Sequence, residues 1–393
     1  MRAVQSTRHG TVLRSHINGT GDPSRGFSPA YTGSMTHVQH SQDEIHILLR
    51  RLAGWTAPEG TGVLSVLLDS RSEASGERPG ERTASITLKD RLNEIEKSLL
   101  PRGPGLQSFR IDRIRVEQAF TDASPAAAGI AIFACSAADL FEVVEAGAPF
   151  ENRVVYDDYP AIYQLARLAD EYEPAVVALA DSNTLRVFVL RQGTIEETTG
   201  KDEESIHFRK RRTGGMSQER FQRHIQKHRE DFAAEAAEAI SGIVEEEGAR
   251  RLVLAGDEVA IPLLRNALPA RVHELVVGDA LRIHIRAPRN EVEEEVAALL
   301  ELAEAADSRE VADAFVAEIR KDGLAIAGAD PTRRALEAGQ ADVLVILDHY
   351  EPFDTRNELS RLAVATGASI EVVPSHPGLE ALGGVGAILR YRA

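Results

Sequence analysis

Cysteine is all but missing: Cys135 stands alone among 393 residues. A single thiol excludes an internal disulfide and any zinc cluster built on thiolates, and it fits a reducing compartment. No apolar run approaches the roughly 20 residues that a membrane helix needs. The first residues lack the apolar segment of a secretory signal. The expectation is therefore a cytoplasmic protein with no membrane partner. Cations are in deficit, with 45 Lys and Arg against 61 Asp and Glu, a formal net charge of -16. That balance argues against a general nucleic-acid coat. What remains is ordinary globular composition, 43% hydrophobic and 27% charged, in a chain long enough for two or three domains.

The organisation reads as α/β in three parts. Residues 1–40 are polar and without period, a disordered extension by composition. Met35 precedes the first periodic segment and is a candidate start. A first domain spans 41–172. In it "GVLSVLLDS" (62–70), "GIAIFAC" (129–135) and "FEVVEAG" (141–147) have strand character. The segment 86–100 puts Leu88, Leu92, Ile95 and Leu99 on one helical face, and that period also accounts for Ile86. A strand and a helix follow in "RVVYDDYPAIYQLARLADEYEP", with Pro160 expected in the first helical turn and Pro174 beyond the end. Asp157 and Asp158 are read as helix-capping residues rather than a carboxylate site. Cys135 is read as core.

A second domain spans 175–285. "AVVALADSNTLRVFVLRQGTIEE" predicts a three-stranded meander turning at Asp181-Ser182-Asn183 and at Gln192-Gly193. After a basic stretch comes a long helix on which Phe221, Ile225, Phe232, Ala236, Ile240 and Ile243 recur at three- and four-residue steps. Ser217 is its candidate N-cap and Gly248 its stop. "RLVLAGDEVAIPLLRNAL" (251–268) reads as strand, turn and helix, and "VHELVVG" (272–278) as another strand. This alternation predicts a largely parallel sheet. A third domain, 288–393, opens on an acidic amphipathic helix (290–306). Strands follow at 323–328, 341–348 and 369–374, and a last one at Ala387–Tyr391 is entered through a glycine turn.

One stretch runs against the acidic background. "RKRRTGGMSQERFQRHIQKHRE" (209–230) holds eight Lys and Arg and two Glu around a Gly-Gly pair. Arg209, Lys210, Arg211, Arg212, Arg220, Arg223 and Lys227 are the candidate phosphate-binding cations. The plain alternative is a solvated loop leading into a capped helix. His224 and His228 sit one turn apart, a spacing that permits metal binding. No third ligand is evident, so they are assigned to RNA or solvent. No clustered carboxylate pair stands out in the sequence, which removes the strongest case for a nuclease. Asp348 and His349, after a strand, need no chemistry. No metal and no cofactor is called for.

The order of hairpin, basic Gly-Gly stretch, "SQERFQRHIQKHR", "GLAIAGADPTRRALEAGQADVLVILD" and the ending "LGGVGAILRYR" resembles the archaeal/eukaryotic peptide release factor and Pelota family. The resemblance covers roughly the last 220 residues; 41–172 looks like the divergent N-terminal domain of bacterial members. It implies a release-factor-like second domain and an α/β third domain similar to the ribosomal-protein L7Ae-like fold. It implies binding to the ribosome, with its rRNA and tRNA, and a translational GTPase as partner through the third domain. In such factors a Gly-Gly-Gln loop reaches the peptidyl-transferase centre, where the glutamine helps order water for ester hydrolysis. Here Gly214 and Gly215 are kept and Met216 takes the glutamine position. A thioether is a weak acceptor and no donor, so Gln218 and the Met216 backbone N–H become the candidates for catalysis. "TASITLKDR" (83–91) is similar to the codon-reading segment of eukaryotic factors but lacks the Asn-Ile-Lys-Ser core, so stop-codon reading is not expected. Two functions follow: a peptidyl-tRNA hydrolase of ribosome rescue or peptide release, or a non-catalytic hibernation factor occupying the A site.

Overall fold

The computed structural model describes residues 42–71, 83–191, 194–197 and 218–392. The expected extension at 1–40, the turn at Gln192-Gly193 and the Ser217 cap lie outside them. Among the described residues the fold is mixed α/β, built on three four-stranded sheets.

The first sheet follows helix α1 (Gln42–Ala53). It contains β1 (Val63–Asp69), β2 (Gly129–Cys135), β3 (Leu140–Ala146) and β4 (Arg153–Asp157), in the order β3-β2-β1-β4 and antiparallel throughout. Helices α2 (Thr83–Ser98) and α3 (Pro104–Asp122) cover one face. Leu88, Leu92, Phe109 and Val116 meet Leu64, Val66, Ile130 and Ile132 there. The opposite residues of the same strands, Val63, Leu67, Ala131 and Phe133, face a second core. Side chains alternate across a strand, so a sheet covered on both faces needs an unbroken apolar run. That explains "GIAIFAC", buried at every position. Ile86 departs from the helical reading: it is 57% exposed, outside the face that Leu88 and Leu92 bury.

Helix α4 (Tyr163–Glu171) starts three residues after Pro160, without a side-chain cap. The expected capping by Asp157 and Asp158 does not occur; Asp157 Oδ1 instead accepts the Asp158 N–H at 2.7 Å. The second sheet has β5 (Ala175–Ala180), β6 (Leu185–Arg191), β7 (Thr194–Glu197) and β8 (Arg251–Gly256) in the order β7-β6-β5-β8. The β5–β6 turn is closed by Asp181 Oδ1, which accepts from the N–H groups of Asn183 and Thr184, both at 2.7 Å.

The largely parallel sheet that the alternation predicts is not what forms. Consecutive hairpins make β5–β6 and β6–β7 antiparallel. Parallel pairing is confined to β5–β8 and two isolated bridges. Between β7 and β8 lies α5 (Gln218–Glu247), ended by Gly248 at φ +59° as its composition predicts. After β8 and α6 (Ala260–Ala267), the expected strand at 272–278 is replaced by a short helix, α7 (Ala270–His273). Pro269 opens that helix, and within 272–278 only Val276 bridges to β8.

Helix α8 (Arg289–Arg320) runs 32 residues, well past the acidic segment that marked its start. Its first turns pack Val292 and Val296 on the second sheet, and its later turns pack Ala312, Phe315 and Val316 on the third. The third sheet comprises β9 (Ala325–Ala327), β10 (Ala341–Leu347), β11 (Ser369–Val373) and β12 (Val385–Leu389), ordered β11-β10-β12-β9. Only β10–β11 is parallel. Helices α9 (Ala329–Glu337), α10 (Phe353–Thr366) and α11 (Pro377–Ala381) complete it. The last strand begins at Val385, two residues ahead of the expected Ala387, after Gly383 and Gly384 at φ +92° and +76°.

The first and third sheets share one hydrophobic core. Ile45, Leu52, Leu67, Phe133, Tyr163 and Leu165 belong to the same cluster as Leu336, Leu344, Leu359 and Val385. Polar contacts bind the seam. Asn357 Oδ1 accepts the Tyr163 N–H, and Asn357 Nδ2 donates to the Pro160 carbonyl, both at 3.2 Å. The second sheet keeps two clusters of its own, one on each face.

Candidate functional site

Arg209, Lys210, Arg211, Arg212, Gly214, Gly215 and Met216 lie outside the described residues, between β7 and α5. The two anchors of that connection are described. Glu197 ends β7, which among the described residues pairs only with β6. Gln218 is the first residue of α5.

Helix α5 is about 45 Å long at 1.5 Å per residue. Among its described side chains burial begins at Phe232, with Ala233, Ala236, Ala237, Ile240 and Val244 continuing the face against the sheet. The turns before Phe232 hold Arg220, Arg223 and Lys227 at positions i, i+3 and i+7. Lys227 is exposed and has no ion pair among the described residues. Gln226 Nε2 donates to Glu230 Oε1 at 2.9 Å. His228 is half-buried and its partner in spacing, His224, precedes the side chains that can be described.

The fold assembles a carboxylate group that the sequence did not reveal. Asp170 at the end of α4, Glu304 in mid-α8 and Glu371 on β11 bring carboxylate oxygens within 4.8 Å of one another. Burial pushes the Asp170 carboxyl up to about 8, and the charges of Glu371 and Glu304 add to the shift. Burial also raises Glu371 and Glu304. Donors already occupy the group: Arg251 pairs with Glu304 and, at 3.0 Å, with Asp307, and Ser308 Oγ donates to Glu371 at 2.6 Å. With a guanidinium built in, this is a structural node where α4, β8, α8 and β11 meet.

A second polar group lies in the shared core. Arg356 is 1% exposed. Its guanidinium donates to the Asp348 carbonyl and lies 4.4 Å from the Tyr163 ring centre. The Asp348 carboxylate accepts the Tyr163 hydroxyl at 3.1 Å and pairs with Arg167 at 3.0 Å. Asp348 thus has a structural use, while His349 beside it is exposed. Cys135 is buried, and burial with the nearby Asp112 charge pushes its thiol pKa up, as suits a core thiol.

Residues 160–301 match bacterial archaeo-eukaryotic release factor family 10, and residues 305–393 match eRF1 domain 3. A hairpin, a cationic connection into a long crossover helix and a following α/β body, covered by these two matches but for 302–304, define the class: a release-factor-like protein. The chain is a bacterial archaeo-eukaryotic release factor-like protein. Among solved structures it is similar to the archaeal translation termination factor aRF1 at 18% identity. That match covers 90% of this chain and 99% of the other, with a TM-score of 0.26. Pelota of Archaeoglobus fulgidus matches at 15% identity over 90% and 94%, with a TM-score of 0.32. The S. cerevisiae termination-like factor Dom34, described as interacting with Hbs1, matches at 12% over 67% and 80%, with a TM-score of 0.41. No curated protein matches the chain. Among the described residues, no helix is long and apolar enough to cross a membrane.

Proposed function

We propose that this protein binds the ribosomal A site and extends the 209–230 segment toward the peptidyl-transferase centre, acting in ribosome rescue or peptide release. The observation that supports the reading is the family match over 160–301, which spans the cationic Gly-Gly stretch and the long helix α5 that follows it. Arg209, Lys210, Arg211, Arg212, Arg220, Arg223 and Lys227 meet rRNA and tRNA phosphates. Gly214 and Gly215 let the backbone come close to the substrate. Gln218 orders the water that attacks the ester carbonyl of peptidyl-tRNA, and the Met216 N–H stabilises the oxyanion. The third sheet and its helices receive a translational GTPase. A second reading is favoured by Met216 itself: without a loop glutamine the protein occupies the A site of idle ribosomes as a hibernation factor.

A time course of peptide release from purified ribosome–peptidyl-tRNA complexes separates the two. On the first reading, Gln218→Ala slows release by about 10²–10³-fold, the effect of losing one well-placed donor, with ribosome binding unchanged. Met216→Gln is then neutral or modestly activating. On the second, wild type and Gln218→Ala both release nothing above background. Wild-type release fully kept in Gln218→Ala would remove Gln218 from the chemistry.

A further inference from the structure

We infer that the ribbon Arg282–Arg289 is a second contact surface for the phosphate backbone of RNA. It rests on the RNA-binding reading of residues 209–230 and adds a surface at a distant place in the sequence. The ribbon reads "RIHIRAPR", three Arg and one His without an acid. Arg282, His284, Arg286 and Arg289 are exposed, while Ile283 and Ala287 are buried in the core of the second sheet. The polar side chains are thus held outward by apolar anchors between them.

The backbone beneath the cations is fixed. Arg186 on β6 donates from Nη1 to the carbonyls of Ile285 and Ala287, at 2.9 and 2.7 Å. The Ala287 N–H donates to the His284 carbonyl at 2.8 Å, and the Arg286 N–H to His284 Nδ1 at 3.1 Å. A surface whose backbone is already ordered loses less entropy on binding. Arg282 pairs with Glu258 at 2.7 Å, but both side chains are more than two thirds exposed, so the pair contributes little. Arg286 and Arg289 have no ion pair among the described residues, although Asp279 and Glu291 flank the ribbon in sequence. Guanidinium groups match phosphate geometry. The ribbon presents no exposed aromatic or large apolar side chain of the kind that anchors a protein partner.

Topology puts the ribbon at the same end of the sheet as the N-terminal half of α5. The parallel strands β5 and β8 end at Ala180 and Gly256. Leu281 bridges in parallel to Ala255, so Arg282 lies just past that end. Helix α5 joins the opposite end, through 248–250 into Arg251. It is about 45 Å long, against roughly 20 Å for a six-residue strand. Its N-terminal half, with Arg220, Arg223 and Lys227, therefore extends past the same end. The core containing α5 and that containing Ile283 and Ala287 lie on opposite faces. Two cationic elements bracket one end of the sheet.

The test is ribosome co-sedimentation across 50–200 mM salt. It compares wild type with Arg286→Gln/Arg289→Gln, a loop variant with Arg209, Lys210, Arg211 and Arg212 all changed to Ser, and Arg320→Gln/Arg334→Gln. The last pair removes the same charge from exposed positions elsewhere. Two phosphate contacts at roughly 0.7 each lower the log–log salt slope by about 1.4. Across this range, wild-type affinity should fall about sevenfold more than that of the ribbon variant. Arg286→Lys/Arg289→Lys should restore most of the slope. A ribbon variant indistinguishable from Arg320→Gln/Arg334→Gln overturns the inference; a loop variant that still loses binding then leaves the proposed function standing. Wild type that binds ribosomes at no salt concentration overturns both.

Discussion

Replacing Arg356 with Ala should loosen the joined first and third bodies and leave the second sheet intact. Arg356 is buried on the seam between them, and three losses follow from its contacts. The guanidinium donates to the Asp348 carbonyl, and a hydrogen bond from a charged donor contributes about 1.5–3 kcal/mol. It lies over the Tyr163 ring, and a desolvated cation–π contact contributes about 2 kcal/mol. The aliphatic stem fills core space that Ala leaves empty. Against these stands relief. Arg356 Nε is buried without a partner, and the nearest carboxylate oxygen, on Glu151, is 4.0 Å from Nη2. Removing a poorly paired buried charge recovers part of its desolvation. The net is a loss of about 3 kcal/mol. With a urea dependence of roughly 3 kcal/mol per molar, the midpoint should fall by about 1 M. The single tryptophan, Trp55, packs against the shared core, so its fluorescence reports this transition. Arg356→Met, which keeps the stem and drops the charge, should lose about half as much. A midpoint for Arg356→Ala within about 0.2 M of wild type would refute the seam as described.

Asp170 makes stability fall with rising pH. Its folded carboxyl keeps a proton up to about 8, against 3.8 for an ordinary aspartate. Between those pH values the folded state binds the extra proton and unfolding releases it, so stability is lost as pH rises through the window. Urea midpoints at pH 5 and 8 should show the fall in wild type and a shallower one in Asp170→Asn, which should be the more stable of the two at pH 8; parallel profiles would contradict the assignment. Gly256 sits at φ +136°, where a Cβ would lie 1.8 Å from the Ala180 carbonyl oxygen. Gly256→Ala should therefore open the end of β8. Amide exchange at Ala255 and Leu281 should accelerate while Trp55 fluorescence stays unchanged, and unaltered exchange would show that the strand end can absorb the side chain.

Local pattern carried much of the architecture. The run "GIAIFAC" marked a buried strand, and the spacing of Leu88 and Leu92 an amphipathic helix; that the strand is covered on both faces, by that helix on one, came from the fold. The apolar steps from Phe232 to Ile240 and the stop at Gly248 marked the long helix that begins at Gln218. Periodicity is a property of neighbours in sequence, so it can be read without knowing what covers the face. Partners remote in sequence were decided only by the tertiary structure. Nothing local distinguishes Arg356 from a surface arginine, because its burial depends on Tyr163, Asp348 and Phe353 closing around it. Asp170, Glu304 and Glu371 became one group only when α4, α8 and β11 met. Helix α8 outran its acidic opening because its two halves found separate sheets to cover. The strand expected at 272–278 failed for the converse reason: β-rich composition was there, but after Pro269 the chain turned into a short helix and offered β8 a single bridge at Val276.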